Sequence, residues 1–303
     1  MYIFVIYIIL FILMKIILPQ IFRILINLLI VNKYTYLMAM LIVRLSRKIR
    51  NLNKTSIPEF LLVKNCMGKI KMYLDHTSYM GGSLYWTGYH HINESLYLKK
   101  IIKTDMNFVD IGANQGEFSL LACSLIQKGK VISFEPVDDL NSLLTKNIKA
   151  NNFKNIEINH YGLSDKVGTL PIFNSKKTKN NNEGLSSLYS SENRSEFLQN
   201  VELKVFDEEY FQILDRLDFI KIDIEGAELY ALKGMQKSIN KFKPIILIEI
   251  CEDMFDVAGY SLDDILIFFK ELNYEAFKLF RGNLIKYNGD FKGLGNYIFK
   301  PIK

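Results

Sequence analysis

The chain has 303 residues, 49% hydrophobic and 23% charged, which is ample for a buried core and excludes a disordered chain. Its 38 basic and 32 acidic residues leave a net charge of +6, with much of the excess early, at Arg44, Arg47, Lys48, Arg50 and Lys54. That placement suits a membrane-flanking or solvated segment, and with no aromatic residues interleaved it argues against nucleic acid as a partner. Cys66, Cys123 and Cys251 are too scattered for a disulfide framework or a zinc site, so core packing in a reducing compartment is expected.

Residues 1–31 form the most hydrophobic stretch, with fourteen apolar residues before Lys15. That run is shorter than the ~20 residues needed to span hydrocarbon. No basic residue precedes it and no small-residue cleavage site comes after it, which disfavours a cleaved signal. The basic residues come afterwards, and the positive-inside rule then leaves the rest of the chain in the cytoplasm. Residues 1–50 are expected to be a hydrophobic, basic helical segment. It attaches to the cytoplasmic face of a membrane through residues 1–31, or it packs on the catalytic domain. Residues 51–100 read as a lead-in, and 101–303 as the main domain.

From residue 101 the pattern becomes regular. "NFVDI", "KVISFEP", "NIEINHYGLSD", "LDFIKID" and "PIILIEI" are strand runs. "EFSLLACSLIQ", "VDDLNSLLTKNIKANN", "IEGAELYALKGMQKSINKF" and "SLDDILIFFKELN" carry helical periodicity, and two more strands fall near "YEAFKLF" and "GNYIFK". Alternating strands and helices predict an α/β domain with a doubly wound, mostly parallel sheet. The polar stretch 174–200 breaks the rhythm, as functional or mobile insertions do.

Ligands of such sheets bind outside the carboxyl ends of the strands. Asp110 ends the first strand, and Gly112 and Gly116 make the turn into a helix whose N-terminus offers free N–H groups. Glu135 ends the second strand, where an acid can accept hydrogen bonds from both ribose hydroxyls. The loop is G-x-x-x-G with an acid before it, which suits an ammonium better than a pyrophosphate. A ribose with an ammonium and a carboxylate describes S-adenosylmethionine. Asp223 and Glu225, at the end of the fourth strand, are candidates for a base or for a divalent cation site that acidifies a hydroxyl. The bland alternative sets both acids against the positive end of the next helix. Lys221 needs an acidic partner if its strand is buried, and Glu249 is positioned to supply one or to line the acceptor pocket.

"FVDIGANQGEFS", "SFEP", "GLSSL" and "LDFIKIDIEGAELYALKGM" followed by "KPIILIEI" resemble, in order, the motifs of the FkbM family of S-adenosylmethionine-dependent methyltransferases. The resemblance covers roughly residues 100–280. It implies a class I methyltransferase, Rossmann-like fold with seven strands, the last antiparallel. It also implies methylation of a hydroxyl oxygen on a sugar, glycan or secondary metabolite. By the same resemblance Asp110, Gly112, Asn114 and Gly116 hold the methionine end, Glu135 holds the ribose, and Ser164 and Asp165 lie at the adenine edge. Two rivals stand beside it: an NAD-dependent oxidoreductase, and a membrane-anchored scaffold with a degenerate methyltransferase domain. The first lacks a hydride-transfer constellation such as Tyr-x-x-x-Lys and leaves the "KIDIEGAE" block unexplained.

Overall fold

A computed structural model describes residues 13–32, 34–52, 60–174, 186–190, 195–287 and 294–302. The chain divides into two compact units, residues 1–92 in one and residues 93–176 with 184–303 in the other. Residues 60–92 thus group with the N-terminal helices.

In the first unit, a π-helical turn at Leu13–Ile17 runs into a helix at Leu18–Leu29. Pro19 sits in its first turn, where a missing N–H costs nothing. A second helix, Tyr36–Leu52, packs against the first. Strands β1 (Phe60–Cys66) and β2 (Ile70–Asp75) then form an antiparallel hairpin. The helix Tyr79–Thr87 comes next, capped by Ser78, whose side chain accepts from the Gly81 N–H at 3.0 Å. Among the described residues no helix is long and apolar enough to cross a membrane. Residues 1–12 of the apolar run lie outside the described residues.

The second unit is built on β3 (Phe108–Ile111), β4 (Val131–Phe134) and β5 (Ile156–Asn159), joined by helices Glu117–Leu125 and Asp138–Asn151. A side sheet comes after them, of β6 (Gly162–Leu163), β7 (Gly168–Asn174) and β8 (Glu196–Lys204) in the order β6-β8-β7. The main sheet continues with β9 (Phe219–Ile222), β10 (Ile245–Cys251), β11 (Tyr274–Phe280), β12 (Asn283–Lys286) and β13 (Leu294–Pro301). Its order is β12-β11-β13-β10-β9-β3-β4-β5. The run from β10 to β5 is parallel, and β13 enters antiparallel to both β10 and β11. This is the mostly parallel sheet expected from the sequence, with the reversed last strand that the family resemblance implies and one strand added at the edge. That addition is β12, which pairs with β11 across a two-residue turn. Arg281 and Gly282 both have positive φ there, +53° and +65°.

The central strands β3, β4 and β9 are buried at every position, as strands covered on both faces should be, and each buries one polar residue, Asp110, Ser133 and Lys221. Phe108 and Phe219 stack across β3 and β9 with centroids 5.1 Å apart. The expected single helix after β9 is two, Glu228–Gly234 and Gln236–Phe242. A Cβ on Gly234 would lie 2.0 Å from the Ser164 carbonyl oxygen, so only glycine lets the backbone pass the loop after β6 so closely. Within the polar stretch 174–200, residues 196–200 open β8, where Val201 and Leu203 pack with Val137 and Ile172. Residues 175–185 and 191–194 lie outside the described residues.

The helix Leu262–Glu271 is started by a reciprocal capping box between Ser261 and Asp264. It buries Phe269, which stacks on Phe299 of β13 with centroids 3.7 Å apart. Truncating Phe269 to Ala removes that stack and leaves a cavity. Urea unfolding should show a loss of ~3–5 kcal/mol, and a loss under ~1 kcal/mol would place Phe269 outside the core.

Candidate active site

At the carboxyl ends of the central strands, register sets Asp110 of β3 opposite Lys221 of β9 on one side and Ser133 of β4 on the other. Asp110 is fully enclosed. Its Oδ2 accepts from Ser119 Oγ at 2.5 Å, and Ser119 Oγ lies 2.8 Å from Ser133 Oγ. Its Oδ1 makes no hydrogen bond of ordinary length, and the Lys221 ammonium lies 3.5 Å away. Burial pushes the Asp110 carboxyl upward, against the pull of Lys221 and Ser119.

Lys221 is itself buried, and its Nζ donates to the Gly112 carbonyl at 2.7 Å. It also stands 3.6 Å from Asp223 Oδ2. Burial works to lower the Lys221 pKa, but the charges of Asp223 and Asp110 prevail and raise it. The partner anticipated for this lysine is thus two carboxylates, from two strands.

The loop after β3 turns through left-handed conformations at Gly112, Asn114 and Gly116. A Cβ on Gly112 would stand 2.0 Å from the Asp223 carbonyl oxygen, so this loop and the one after β9 approach as closely as backbone allows. The Asn114 N–H donates to Glu135 Oε2 at 2.8 Å, and the Val137 N–H donates to Oε1 at 2.9 Å. Burial nevertheless pushes the Glu135 carboxyl up to about 7, outweighing both backbone donors. Gly112 and Asn114 are half-buried and so remain within reach of a ligand. These features fit S-adenosylmethionine: a backbone loop bent by glycine, beside a carboxylate whose oxygens each keep accepting capacity.

Asp223 comes directly after β9, its N–H donating to the Ile111 carbonyl at 3.2 Å. Glu225 has φ +53° and Gly226 φ +108°, a sharp reversal before the next helix. That reversal is held by a residue that sequence reasoning does not single out. Glu228, buried, accepts from the Ile224 N–H at 3.1 Å and the Gly226 N–H at 3.0 Å, while Tyr260 OH donates to it at 3.1 Å. Its signal is the spacing: an acid in the first turn of a helix, three residues after Glu225. Glu228 thus satisfies the Ile224 and Gly226 N–H groups ahead of this helix.

Ligand oxygens of Asp223, Glu225 and Glu249 all lie within 4.8 Å of one another. Crowding has a chemical consequence. Burial first, then the charges of Asp223 and Glu225, pushes the Glu249 carboxyl up to about 10, which favours its protonated form. From the side, Ser187 Oγ donates to the Glu225 carbonyl at 2.7 Å, which ties the "GLSSL" segment to this turn. Burial and neighbouring Tyr230, Glu228 and Asp165 push the Tyr189 phenol upward.

Ser164 and Asp165 occupy a separate half-buried turn after β6, with Ser164 Oγ 3.3 Å from Asp165 Oδ1. The Ser164 N–H donates to the Lys204 carbonyl at 2.9 Å, which anchors this turn to β8. His160 pairs with Asp138 at 2.9 Å on the exposed surface.

A family model described as the methyltransferase FkbM domain matches residues 110–276, which holds every residue of this site. The chain is 29% identical over 170 residues to methyltransferase sdnD of Sordaria araneosa, covering 48% of this chain and 66% of that one. It is 22% identical over 173 residues to methyltransferase 1 of Beauveria bassiana, covering 51% and 68%. The crystal structure of methyltransferase FkbM from Methylobacillus flagellatus KT aligns at 16% identity with a TM-score of 0.45, covering 71% of this chain and 52% of that one. The family match spans more than half of the residues, and the chain belongs to the FkbM methyltransferase family.

Proposed function

We propose that the protein is an S-adenosylmethionine-dependent O-methyltransferase acting on a hydroxyl of a sugar, glycan or secondary metabolite. The observation that carries this reading is the convergence of Asp223, Glu225 and Glu249 directly behind the Gly112 loop. A cofactor held by that loop would have an acid–base group beside it.

Bound S-adenosylmethionine supplies an electrophilic methyl group for in-line displacement. In this proposal the backbone of Gly112, Asn114 and Gly116 holds its methionine end, with Asp110 acting from beneath through Lys221. Glu135 accepts the ribose hydroxyls with the lone pairs that Asn114 and Val137 leave, and Ser164 and Asp165 flank the adenine. Asp223 takes the acceptor's hydroxyl proton. An alcohol oxygen becomes strongly acidic as its new carbon bond forms, so a carboxylate is a sufficient base late in the step. The Lys221 ammonium faces Asp223 from one side, 3.6 Å from its Oδ2. Protonated Glu249 donates a hydrogen bond to Asp223 from another, which fixes where the carboxylate points.

A second reading rests on the same convergence. Three carboxylates this close suit a hard divalent cation, which would acidify the hydroxyl directly. Turnover that survives exhaustive chelation supports proton sharing, whereas loss on chelation with recovery on added magnesium assigns the carboxylates to a cation.

Asp223→Asn keeps the size and removes the base, while Lys221 retains Asp110. With a panel of hexose and deoxysugar acceptors, turnover should fall ~10²–10⁴-fold with cofactor affinity retained. Normal turnover at saturation would move the base to Glu225 or elsewhere.

Glu135 supplies the pH dependence. Ribose hydroxyls donate to the carboxylate and therefore favour its charged form, so binding releases a proton and strengthens as pH rises through about 7. Cofactor affinity should rise ~10-fold between pH 6 and pH 8 and then level off. Glu135→Gln should bind more weakly, with a flat profile. A flat profile in the unaltered protein would remove the ribose role from Glu135.

A further inference from the structure

The first unit carries a surface that methyl transfer does not use. The helix Leu18–Leu29 buries Pro19, Phe22, Arg23 and Ile26 and turns Ile21, Ile24, Leu25 and Leu28 outward, and Ile17 at the end of the preceding turn is exposed as well. Those outward positions recur at intervals of three and four, which is one helical face. The helix Tyr36–Leu52 buries Ala39, Val43 and Ser46 and exposes Leu37, Met38, Leu41 and Leu45. Exposure reaches 70% at Leu28 and 61% at both Leu37 and Leu41, so these are fully presented side chains. Soluble proteins rarely leave so much contiguous apolar surface to water unless something binds it.

Charge says what that something is. No aspartate or glutamate occurs before Glu59, whereas eight lysines and arginines lie between Lys15 and Lys54. Arg44, Arg47 and Lys48 are exposed on the second helix, continuing its apolar stripe. Two other arginines are committed to holding the helices in place. Arg23 donates to the carbonyls of Lys64, at 3.0 Å, and Tyr85, and Arg50 donates to Ser83 Oγ at 3.2 Å. The helix pair is therefore a fixed platform with an apolar face and a basic end.

An outward apolar stripe followed by exposed cations is the pattern of a surface that lies along a bilayer. We propose that the helices Leu18–Leu29 and Tyr36–Leu52 form a lipid-docking surface, with the apolar stripes in the acyl boundary of an anionic bilayer and Arg44, Arg47 and Lys48 on headgroup phosphates. This inference does not rest on the methyl-transfer reading.

Full-length protein is sedimented with vesicles of phosphatidylcholine alone and of phosphatidylcholine mixed with phosphatidylglycerol. Binding should be strong to the mixed vesicles and weak to the neutral ones. High salt should reduce it only in part, since apolar burial is not screened. Arg44→Ala, Arg47→Ala and Lys48→Ala together should lower affinity for the anionic vesicles ~10²-fold. Leu28→Ser with Leu41→Ser, which alters exposed positions only, should abolish binding to both compositions while circular dichroism stays unchanged. Equal sedimentation with and without vesicles overturns the proposal. So does a dimer in analytical ultracentrifugation that the leucine substitutions dissolve without lipid binding, which would assign the face to a second copy of the chain.

Discussion

One buried ammonium ties the carboxyl ends of the central strands together. Lys221 stands among Asp110 of β3, the Gly112 carbonyl of the adjoining loop and Asp223 after β9. A lone charge at that depth would be intolerable, and it persists because two carboxylates and a carbonyl surround it. Removing only the ammonium would leave Asp110 as an unpaired buried charge, the case that costs ~3–5 kcal/mol. The geometry of both loops depends on this knot. The Gly112 loop and the Asp223 loop meet at backbone contact, and Lys221 bonds the first while facing the acid of the second.

Around the knot, acids of the same residue type do different work because their surroundings differ. Glu228 is spent on backbone N–H groups and shapes the turn. Glu135 clamps Asn114 and Val137 yet titrates near neutrality, because burial outweighs its two donors. Glu249 is pushed toward its protonated form because burial and two neighbouring carboxylates oppose its charge. Asp223 faces a cation instead. Environments that push carboxyl groups apart in this way assign acid and base roles within one cluster.

Much of this is legible in the sequence where the signal is local. Short, mostly apolar runs mark β3, β4 and β9, and an acid at or just past the end of each run marks the site. Asp223 and Glu225 stand out as acids flanking Ile224, and Lys221 as a buried charge in need of a partner. Glu228 escapes because three acids within six residues look interchangeable until the Ile224 and Gly226 N–H groups are seen to point at one of them. The upward shift of Glu249 cannot be read at all, since it depends on the ends of β9 and β10 meeting in space. β12 is missed for a plainer reason. "NLIK" is short, largely exposed and at a sheet edge, where packing imposes little pattern. In the first unit, the apolar and basic composition is evident, but the division of each helix into a packed face and an outward face is not. That division needs the partner elements, which sequence periodicity alone does not identify.

The central claim is that the strand-end site holds S-adenosylmethionine and no dinucleotide. Isothermal calorimetry of the full chain against S-adenosylmethionine, S-adenosylhomocysteine and NAD tests it most directly. The account predicts saturable one-to-one binding of both methyl-cycle ligands, mutual competition between them, and no displacement of either by NAD. Saturable NAD binding with no heat from either methyl-cycle ligand would contradict it.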